Sequence, residues 1–204
     1  MEFQEVVRRR RMVRAFTPEP IEAGVVDRIL RNAHQAPSAG FSQGYAFVVL
    51  EGPEETGRFW RAARGEGGDG YESIAEAPVL VIPLACKAAY LDRYTEPDKG
   101  WTDRDEARWP VPFWYVDTGF TVLLMLLTAV DAGLGAVYFG IPPSSEAAVR
   151  AEFGIPDDHD PIGVVAIGRR APGERPVGSA VTRPRRPLDD VVHRGGFRRG
   201  FPAG

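Results

Sequence analysis

The sequence is organised around a basic stretch near the N-terminus, Arg8–Phe16, which reads RRRRMVRAF. Five of these residues are arginines, although the formal net charge of the whole chain is −3. A run of like charge is commonly a solvated helix end, and a second interpretation is a patch that binds nucleic acid. A third is an anion site, because the planar fork of the arginine side chain suits phosphate geometry.

The composition of the chain is that of one globular domain. It has 204 residues, of which 44% are hydrophobic and 26% are charged. At this length folding buries roughly 70% of the surface of the unfolded chain, so no metal or disulfide staple is needed. The net charge disfavours general nucleic-acid binding, because such domains are usually basic overall. The single cysteine, Cys86, excludes an intramolecular disulfide and fits a reducing compartment.

The chain shows no membrane or export signal at the sequence level. Its first residues, Met1–Glu5, lack the apolar segment of a signal peptide. The longest apolar run, Val122–Val130, is about half as long as a membrane-spanning helix. We therefore expect a soluble, cytoplasmic protein that does not associate with membranes.

Helices are predicted where apolar residues recur at helical spacing. They cover Phe3–Arg10, Glu22–Gln35, Pro53–Arg64, Lys87–Tyr94, Phe113–Ala132, and a short helix from Pro142, capped by Ser144, to about Gly154. Strands are predicted from continuous β-branched and apolar content. They cover Tyr45–Leu50, Val79–Cys86, Leu134–Gly140 and Pro161–Gly168. Cys86 is expected to be a small buried hydrophobe at the end of its strand.

Two segments point towards a partner subunit. The helix Phe113–Ala132 is apolar all round over Val122–Leu127, which predicts burial inside a core or in a subunit interface. The tail Arg170–Gly204 is rich in proline and arginine, and such a tail is either disordered or wrapped around a partner. The sequence has no internal repeat, so we expect a single domain over residues 1–204.

The loop Ala36–Tyr45 is rich in small residues. Such a loop exposes backbone N–H and C=O groups at close range, as a flat polar ligand requires. An ordinary connector between a helix and a strand has a similar composition. Both interpretations therefore remain open on composition alone.

A second loop, Thr95–Pro112, is too long for a simple connector and predicts a lid or a binding edge. It contains Trp101 and Trp109, and Phe113 and Trp114 follow it directly. These four aromatic residues predict either a hydrophobic mini-core or a wall for a planar substrate.

Two further patterns match known sites but lack the context that those sites need. Gly65–Gly70 matches the dinucleotide-binding pattern G-x-G-x-x-G, yet a helix precedes it, whereas the fingerprint follows a strand. We therefore expect a flexible surface loop. Asp157–Asp160 offers carboxylates and a histidine, but a run of four residues cannot aim all its side chains at one ion. We therefore predict a solvated turn there and no metal site.

Three signals together resemble one known family. The pattern Arg-Arg-x-x-x-Arg-x-Phe ends at Phe16, and Ala-Pro-Ser-Ala-Gly-x-Ser-Gln follows at residues 36–43. After the long apolar helix come Gly-Leu-Gly-Ala-Val-Tyr-Phe-Gly at residues 133–140 and Ile-Gly-Val-Val-Ala-Ile-Gly at residues 162–168. In order and spacing, the chain from about Phe3 to His193 resembles the FMN-dependent nitroreductase family.

The resemblance implies an α+β fold with a mainly antiparallel central sheet flanked by helices. It also implies a domain-swapped homodimer, with the long apolar helix in the interface and an extension over about residues 170–204 that crosses to the partner. Two FMN molecules would lie at the interface, reduced by NADH or NADPH and reoxidised by a small aromatic or quinone-like acceptor. Flavin N5 would carry the chemistry, so no protein nucleophile is expected.

The resemblance also assigns roles to particular residues. The phosphate would be bound by Arg10 and Arg14, with Arg11 at the same edge, and by the C-terminal pair Arg183 and Arg185, which also reaches the pyrimidine side. The flavin ring and ribityl chain would lie along Pro37, Ser38, Ala39, Phe41 and Gln43. Phe139 and Gly140 would face N5 from the other subunit's side. The acceptor side is expected at Trp101, Trp109, Phe113 and Trp114.

The sequence departs from the family pattern at three places. Met12 stands where the family usually has a serine, which removes a hydroxyl donor to the phosphate. Phe41 stands where an asparagine often contacts the flavin edge, and Gly44-Tyr45 replaces the common Pro-Trp. Two alternatives to a reductase therefore stay open: a flavin-dependent oxidase or dehydrogenase of a biosynthetic intermediate, and a binding or regulatory homologue without flavin.

Overall fold

The computed structural model describes residues 1–22, 24–64 and 72–197. The glycine-rich loop expected at Gly65–Gly70 lies outside these residues. The chain divides into a body, Met1–Glu174, and a tail, Arg175–Gly204.

Within the described residues of the body, five strands form one sheet. They are β1 (Tyr45–Glu51), β2 (Val79–Ala85), β3 (Gly135–Phe139), β4 (Asp160–Pro161) and β5 (Val164–Gly168). The strand order is β1-β2-β5-β3, with the short β4 pairing with β2 off this path, and these pairings are antiparallel. The mainly antiparallel sheet implied by the resemblance is therefore confirmed.

Helices flank this sheet. They are α1 (Phe3–Arg9), α2 (Val25–Ala33), α3 (Gly52–Arg64), α4 (Glu72–Ala75), α5 (Lys87–Tyr94), α6 (Phe113–Asp131) and α7 (Pro143–Phe153). Two details of the prediction are wrong. Cys86 follows β2 and precedes α5, so it is half-buried and outside the strand. Ser144 does not cap α7, which begins at Pro143 after the extended residue Pro142.

The core lies on both faces of the sheet, because successive side chains of a strand point in opposite directions. Strand β2 is buried along its whole length. Leu80 belongs to the cluster that contains Phe59 of α3. Its neighbour Val81 belongs to the cluster that contains Ile29 of α2 and Met125 of α6. The sheet is thus the middle layer of three.

The two ends of the sheet carry different groups. At one end, which we call the loop end, Tyr45 begins β1 opposite Ala85, the last residue of β2. At the other end, which we call the arginine end, Glu51 closes β1 opposite Val79. Because β1 has seven residues, the two ends are roughly 20 Å apart along the strand.

The basic stretch lies at the arginine end. Met12 forms a parallel bridge with Ala136 of β3, and the Val13 N–H donates to the carbonyl oxygen of Ala136 at 3.0 Å. Ala136 in turn pairs with Ile167, which pairs with Val79 at this end of the sheet. The backbone around Met12 therefore extends the sheet beyond β3 and fixes where the neighbouring arginines begin.

Helix α6 has a buried face and an exposed apolar face. Val116, Phe120 and Leu123 are 37%, 41% and 47% exposed, and their spacing places them on one side of the helix. We call these three residues the outer stripe. By length and composition α6 could cross a membrane, but 56% of that segment is buried inside the protein, as in a core helix. The helix is therefore not buried on every side within one chain.

The described part of the tail contains little regular structure. It has one short helix, α8 (Ser179–Thr182), and a turn of 3-10 helix at Leu188–Asp190. Several large apolar side chains of the tail are at least half exposed. They are Val177, Val181, Leu188, Val191 and Phe197.

Candidate functional site

The arginines of the basic stretch are not equivalent. Arg11 makes a two-point ion pair with Glu174, whose carboxylate is almost fully buried, and one of the two contacts is 2.8 Å long. The backbone of Arg14 also hydrogen-bonds to this carboxylate. The hydrogen bonds from Arg11 lower the pKa of Glu174, and the same pair raises the pKa of Arg11. The charge of Arg11 is therefore balanced inside the body.

Arg10 and Arg14 remain available for an anion. Across the described ranges, no carboxylate lies within ion-pair distance of either guanidinium, whereas Arg9 is paired with Glu5. Arg14 is exposed and Arg10 is half-buried. The stretch thus presents two uncompensated guanidinium groups at the arginine end, beside one that is held internally.

Met12 points into the core between these arginines. Its side chain packs against both hydrophobic clusters of the body. A methionine fits such a position because its unbranched thioether fills irregular gaps. The change from the serine of the family pattern therefore removes a hydroxyl group without placing a bulky group over the arginines.

The loop between α2 and β1 has an unusual backbone. Gly40, Phe41 and Gln43 have positive φ angles of 61°, 57° and 49°. For the two residues that have a side chain, this left-handed conformation costs energy and is found mainly at functional sites. The Ser38 hydroxyl accepts a hydrogen bond from the Gln43 N–H at 2.9 Å. The Phe41 ring is 72% exposed, so the loop presents an apolar group to the solvent.

A buried carboxylate holds the loop in this shape. Asp117 of α6 is only 2% exposed, and its Oδ2 atom accepts from the Ala39 N–H at 2.8 Å and from the Tyr90 hydroxyl at 2.9 Å. Burial and the hydrogen bond to Asp117 raise the pKa of Tyr90. From α5, the Arg93 Nε–H donates to the Gly40 carbonyl oxygen at 2.9 Å. Two helices therefore fix the loop by its backbone.

Sequence reasoning missed this anchor. Asp117 and Ala39 are 78 positions apart, and no motif links them. The available signal was an isolated acidic residue in an otherwise apolar helix, because a buried carboxylate requires hydrogen-bond donors. The sequence also did not reveal how closely the loop packs against α5. A Cβ atom at Gly40 would lie 2.7 Å from the ring of Tyr94.

The four aromatic residues near the second loop form one cluster with Tyr90 and Tyr94. Trp109 is at its centre, with ring centroids 4.5 Å from Tyr94, 5.4 Å from Trp101 and 5.9 Å from Phe113. Trp114 is 3% exposed and lies under the cluster. Ala39 of the loop packs against the same cluster. The aromatics thus form a mini-core that supports the loop, and Tyr94, Trp101, Trp109 and Phe113 are partly accessible.

Phe139 and Gly140 differ in how they face the solvent. The Phe139 ring stacks on Trp60 with centroids 5.7 Å apart and planes 9° apart, and it packs against the core on the α3 side. Gly140 is exposed. The Gly140 backbone is therefore more accessible from the solvent than the Phe139 ring.

The predicted site residues fall into separate groups within one chain. Arg10, Arg11 and Arg14 lie at the arginine end, whereas the segment from Pro37 to Gln43 lies at the loop end. Arg183 and Arg185 are exposed residues of the tail, just after α8. The first group and the loop therefore lie towards opposite ends of the sheet within one chain.

Comparison with known proteins identifies the family. The sequence profile of the Nitroreductase family matches residues 7–169. The chain belongs to the nitroreductase family. An NADH dehydrogenase of Thermus thermophilus is 31% identical over 78% of this chain and 82% of its own length. Nitroreductase family enzymes are NAD(P)H oxidoreductases that use FMN, and the chain is an enzyme of this family.

Solved nitroreductase structures share the fold. A nitroreductase family protein from Clostridium difficile has a TM-score of 0.69 and 23% identity, and the match covers 97% of this chain and all of that one. A nitroreductase from Exiguobacterium sibiricum, solved in complex with FMN, has a TM-score of 0.70 and 19% identity over 95% of this chain and 97% of its own.

The residues of this nitroreductase-family chain fit FMN. Arg10 and Arg14 are uncompensated cations, as a dianionic phosphate requires. The positive φ angles at Phe41 and Gln43 turn the loop backbone into a conformation that can approach a flat ring.

Proposed function

We propose that this enzyme passes two electrons from NADH or NADPH, through FMN, to a small aromatic or quinone-like acceptor. The observation that carries the proposal is the division of the chain into two half-sites: free guanidinium groups at one end of the sheet and a strained, anchored loop at the other. FMN supplies hydride transfer when it is bound, and the protein positions the reactants.

The proposed roles of the residues follow from their geometry. Arg10 and Arg14, with Arg183 and Arg185 of the tail, bind the phosphate through charge-assisted hydrogen bonds. The loop from Pro37 to Gln43 borders the flavin ring and the ribityl chain. The N–H of Ala39 is already donated to Asp117, and its carbonyl oxygen already accepts from the hydroxyl and the N–H of Ser42, so Ala39 contributes its methyl group. Arg11 stays paired with Glu174, and this ion pair holds the backbone that carries Arg10 and Arg14.

The proposed site needs two chains. The arginines of one chain and the loop of its partner together surround one flavin, and the homodimer has two such sites. The outer stripe of α6 supports this arrangement, since its apolar side chains lie uncovered in one chain. Phe3 and Val7 of α1 are also exposed, at 66% and 47%. The exposed apolar residues of the tail suit the proposed crossing to the partner.

The acceptor is placed on the open side of the aromatic cluster. Trp101, Trp109 and Phe113 are partly accessible there, and aromatic rings stack well on planar molecules. Trp114 is buried and supports the other rings. The proposed location of the enzyme is the cytoplasm.

Anaerobic reduction of the purified, FMN-loaded protein tests the proposal. We expect NADH or NADPH to bleach the flavin absorption band rapidly, and a quinone or a nitroaromatic compound to restore it. The kinetics should be of the ping-pong type, because donor and acceptor use the same flavin face in turn. A flavin that is not bleached by either nicotinamide but is bleached by another reductant would favour the oxidase alternative. A protein that does not bind added FMN would overturn the proposal.

A further inference from the structure

Three potential metal ligands, one of which is distant in sequence from the other two, meet on the body. They are Cys86, Asp158 and His159, and one ligand atom from each lies within 4.8 Å of the others. The His159 Nδ1 atom is 2.7 Å from the Asp158 Oδ1 atom. The acidic turn alone predicted no metal site, because neighbouring residues cannot all face one ion. The missing ligand comes from the end of β2.

The pairing of β2 with β4 brings these residues together. β2 and β4 pair with Leu84 opposite Pro161 and Ala85 opposite Asp160. One further step in the same register places Cys86 opposite His159. Cys86 keeps an extended backbone, with φ −111° and ψ 98°. Residues opposite each other in antiparallel strands have Cβ atoms about 5 Å apart, so the thiol and the imidazole are neighbours by topology.

The ligand set has a definite chemistry. A thiol, an imidazole and a carboxylate are the three ligand types that zinc accepts, and a thiolate excludes ions such as Mg²⁺ and Ca²⁺. A tetrahedral zinc ion needs ligand atoms roughly 3 to 4 Å apart, which small side-chain rotations would achieve here. We propose that Cys86, His159 and Asp158 form a binding site for a zinc-like divalent cation, with one position left for water.

The surrounding cations already have their own partners. Arg150 donates to the Asp160 Oδ1 atom at 2.9 Å and to the carbonyl oxygen of His159 at 2.7 Å. Lys87, the neighbour of Cys86, pairs with Glu106 at 2.8 Å. Their charges are therefore balanced, and Arg150 also braces the turn that carries His159. The carboxylate of Asp158 is mostly exposed, pairs with the imidazole of His159, and can turn towards an ion.

The site lies at the base of the helix that holds the flavin loop. Cys86 immediately precedes α5, which carries Tyr90 and Arg93, the side chains that bind Asp117 and Gly40. An ion between Cys86 and His159 links the start of α5 to the β4 turn. The cation therefore stabilises the support of the loop without touching the flavin. This inference stands apart from the proposed electron acceptor.

Zinc titration of the flavin-loaded enzyme tests the site. Cys86 is the only cysteine in the chain, so the rate of reaction with a thiol reagent reports on this residue alone. We expect one zinc ion per chain and at least about 10-fold slower thiol reaction at saturating zinc, reversed by a chelator, since a bound thiolate is no longer free to react. Cys86→Ser and His159→Gln should lose zinc binding. Asp158→Asn replaces a carboxylate ligand with a neutral amide and should weaken zinc binding.

The matched control is Asp157→Asn, which removes the same charge from the same turn but is not a ligand. It should bind zinc as the wild type does. The inference is overturned if zinc leaves the thiol rate of the wild type unchanged, or if Cys86→Ser or His159→Gln binds zinc as tightly as the wild type. The thiol measurement on the wild type needs no variant, so a variant that misfolds does not prevent the test.

Discussion

The loop end and the arginine end of the sheet are built in opposite ways. At the loop end, the polar backbone groups are held from within by Asp117 and Arg93, and the loop rests on an aromatic mini-core. At the arginine end, Arg10 and Arg14 have no internal partner in the described part of the chain. The loop end therefore provides a backbone of fixed conformation, and the arginine end provides positive charge. The proposed flavin site needs both ends, and this is why we propose that the enzyme functions as a dimer.

The largest effect is expected from removing the charge. Arg10→Ala combined with Arg14→Ala should weaken FMN binding at least about 100-fold, because each hydrogen bond to a charged group contributes about 1.5 to 3 kcal/mol. Fluorescence titration of the apoprotein with FMN measures the loss. The double variant Arg8→Ala with Arg9→Ala removes the same charge from the same stretch and should leave the affinity within a few fold. Equal losses in the two variants would mean that only net charge matters.

The next largest effect should come from disrupting the proposed dimer, because the arginine end of one chain would then be separated from the loop end of its partner. Leu123→Glu places a charge in the outer stripe, and burying an unpaired charge in an interface is costly. We expect a monomer in analytical ultracentrifugation and little bound flavin, with an unchanged far-ultraviolet circular dichroism spectrum. Glu152→Gln, on the exposed side of α7, is the surface control. A monomer that keeps its full flavin content would contradict the two-chain site.

Breaking the anchor of the loop should cost less. Asp117→Ala leaves the Tyr90 hydroxyl and the Ala39 N–H without their acceptor, at a cost of roughly 2 to 4 kcal/mol in unfolding free energy. Urea denaturation measures it. Tyr90→Phe removes one donor and keeps the bond to Ala39, so a smaller loss is expected. If the two variants are equally stable, the bond between Asp117 and the loop backbone contributes nothing.

The smallest effect is expected from the support beneath the arginines. Glu174→Gln weakens the pair with Arg11 and should cost about 1 to 3 kcal/mol at neutral pH. Because the pKa of Glu174 is lowered, the pair stabilises the fold above the ordinary carboxyl range, and this contribution is lost as the pH falls through the lowered pKa. The difference between wild type and variant should therefore be full at pH 7 and shrink below about pH 4.

The control for this pair is Glu19→Gln, which breaks an exposed pair with Arg169. Exposed ion pairs contribute little, so its effect should be small at every pH. A difference between wild type and Glu174→Gln that grows as the pH falls would contradict the assigned role of Glu174.

Local patterns predicted most of the fold, because helices and strands depend largely on the types and spacing of residues that are close together in the sequence. The helix Lys87–Tyr94 was predicted with the bounds that the structure shows, and the sheet strands differ by a few residues at most, apart from the short β4. The homodimer, and the crossing of the tail to the partner subunit, stay predictions. α4 and β4 were missed, since four and two residues are too few to show a period.

The site depended on long-range contacts that no local pattern contains. The Arg11–Glu174 pair joins residues 163 positions apart, and only the folded chain shows that Arg11 differs from Arg10. The orientation of the Met12 side chain is a second example. From its position in the sequence we predicted a lost contact with the phosphate, whereas in the structure the side chain packs into the core. The meeting of Cys86 with His159 required the strand register, which sequence reasoning did not provide.

The central claim is that each flavin lies between the arginine end of one chain and the loop end of its partner. Mixed dimers test it directly, with one chain carrying Arg10→Ala and Arg14→Ala and the other carrying Gly40→Val, which collides with Tyr94. At an FMN concentration that fills only intact sites, each homodimer should remain without flavin. In the mixed dimer one site combines both defects and the other combines two intact ends, so the account predicts one FMN per dimer. A mixed dimer without FMN would contradict it, because sites within single chains would then all be broken.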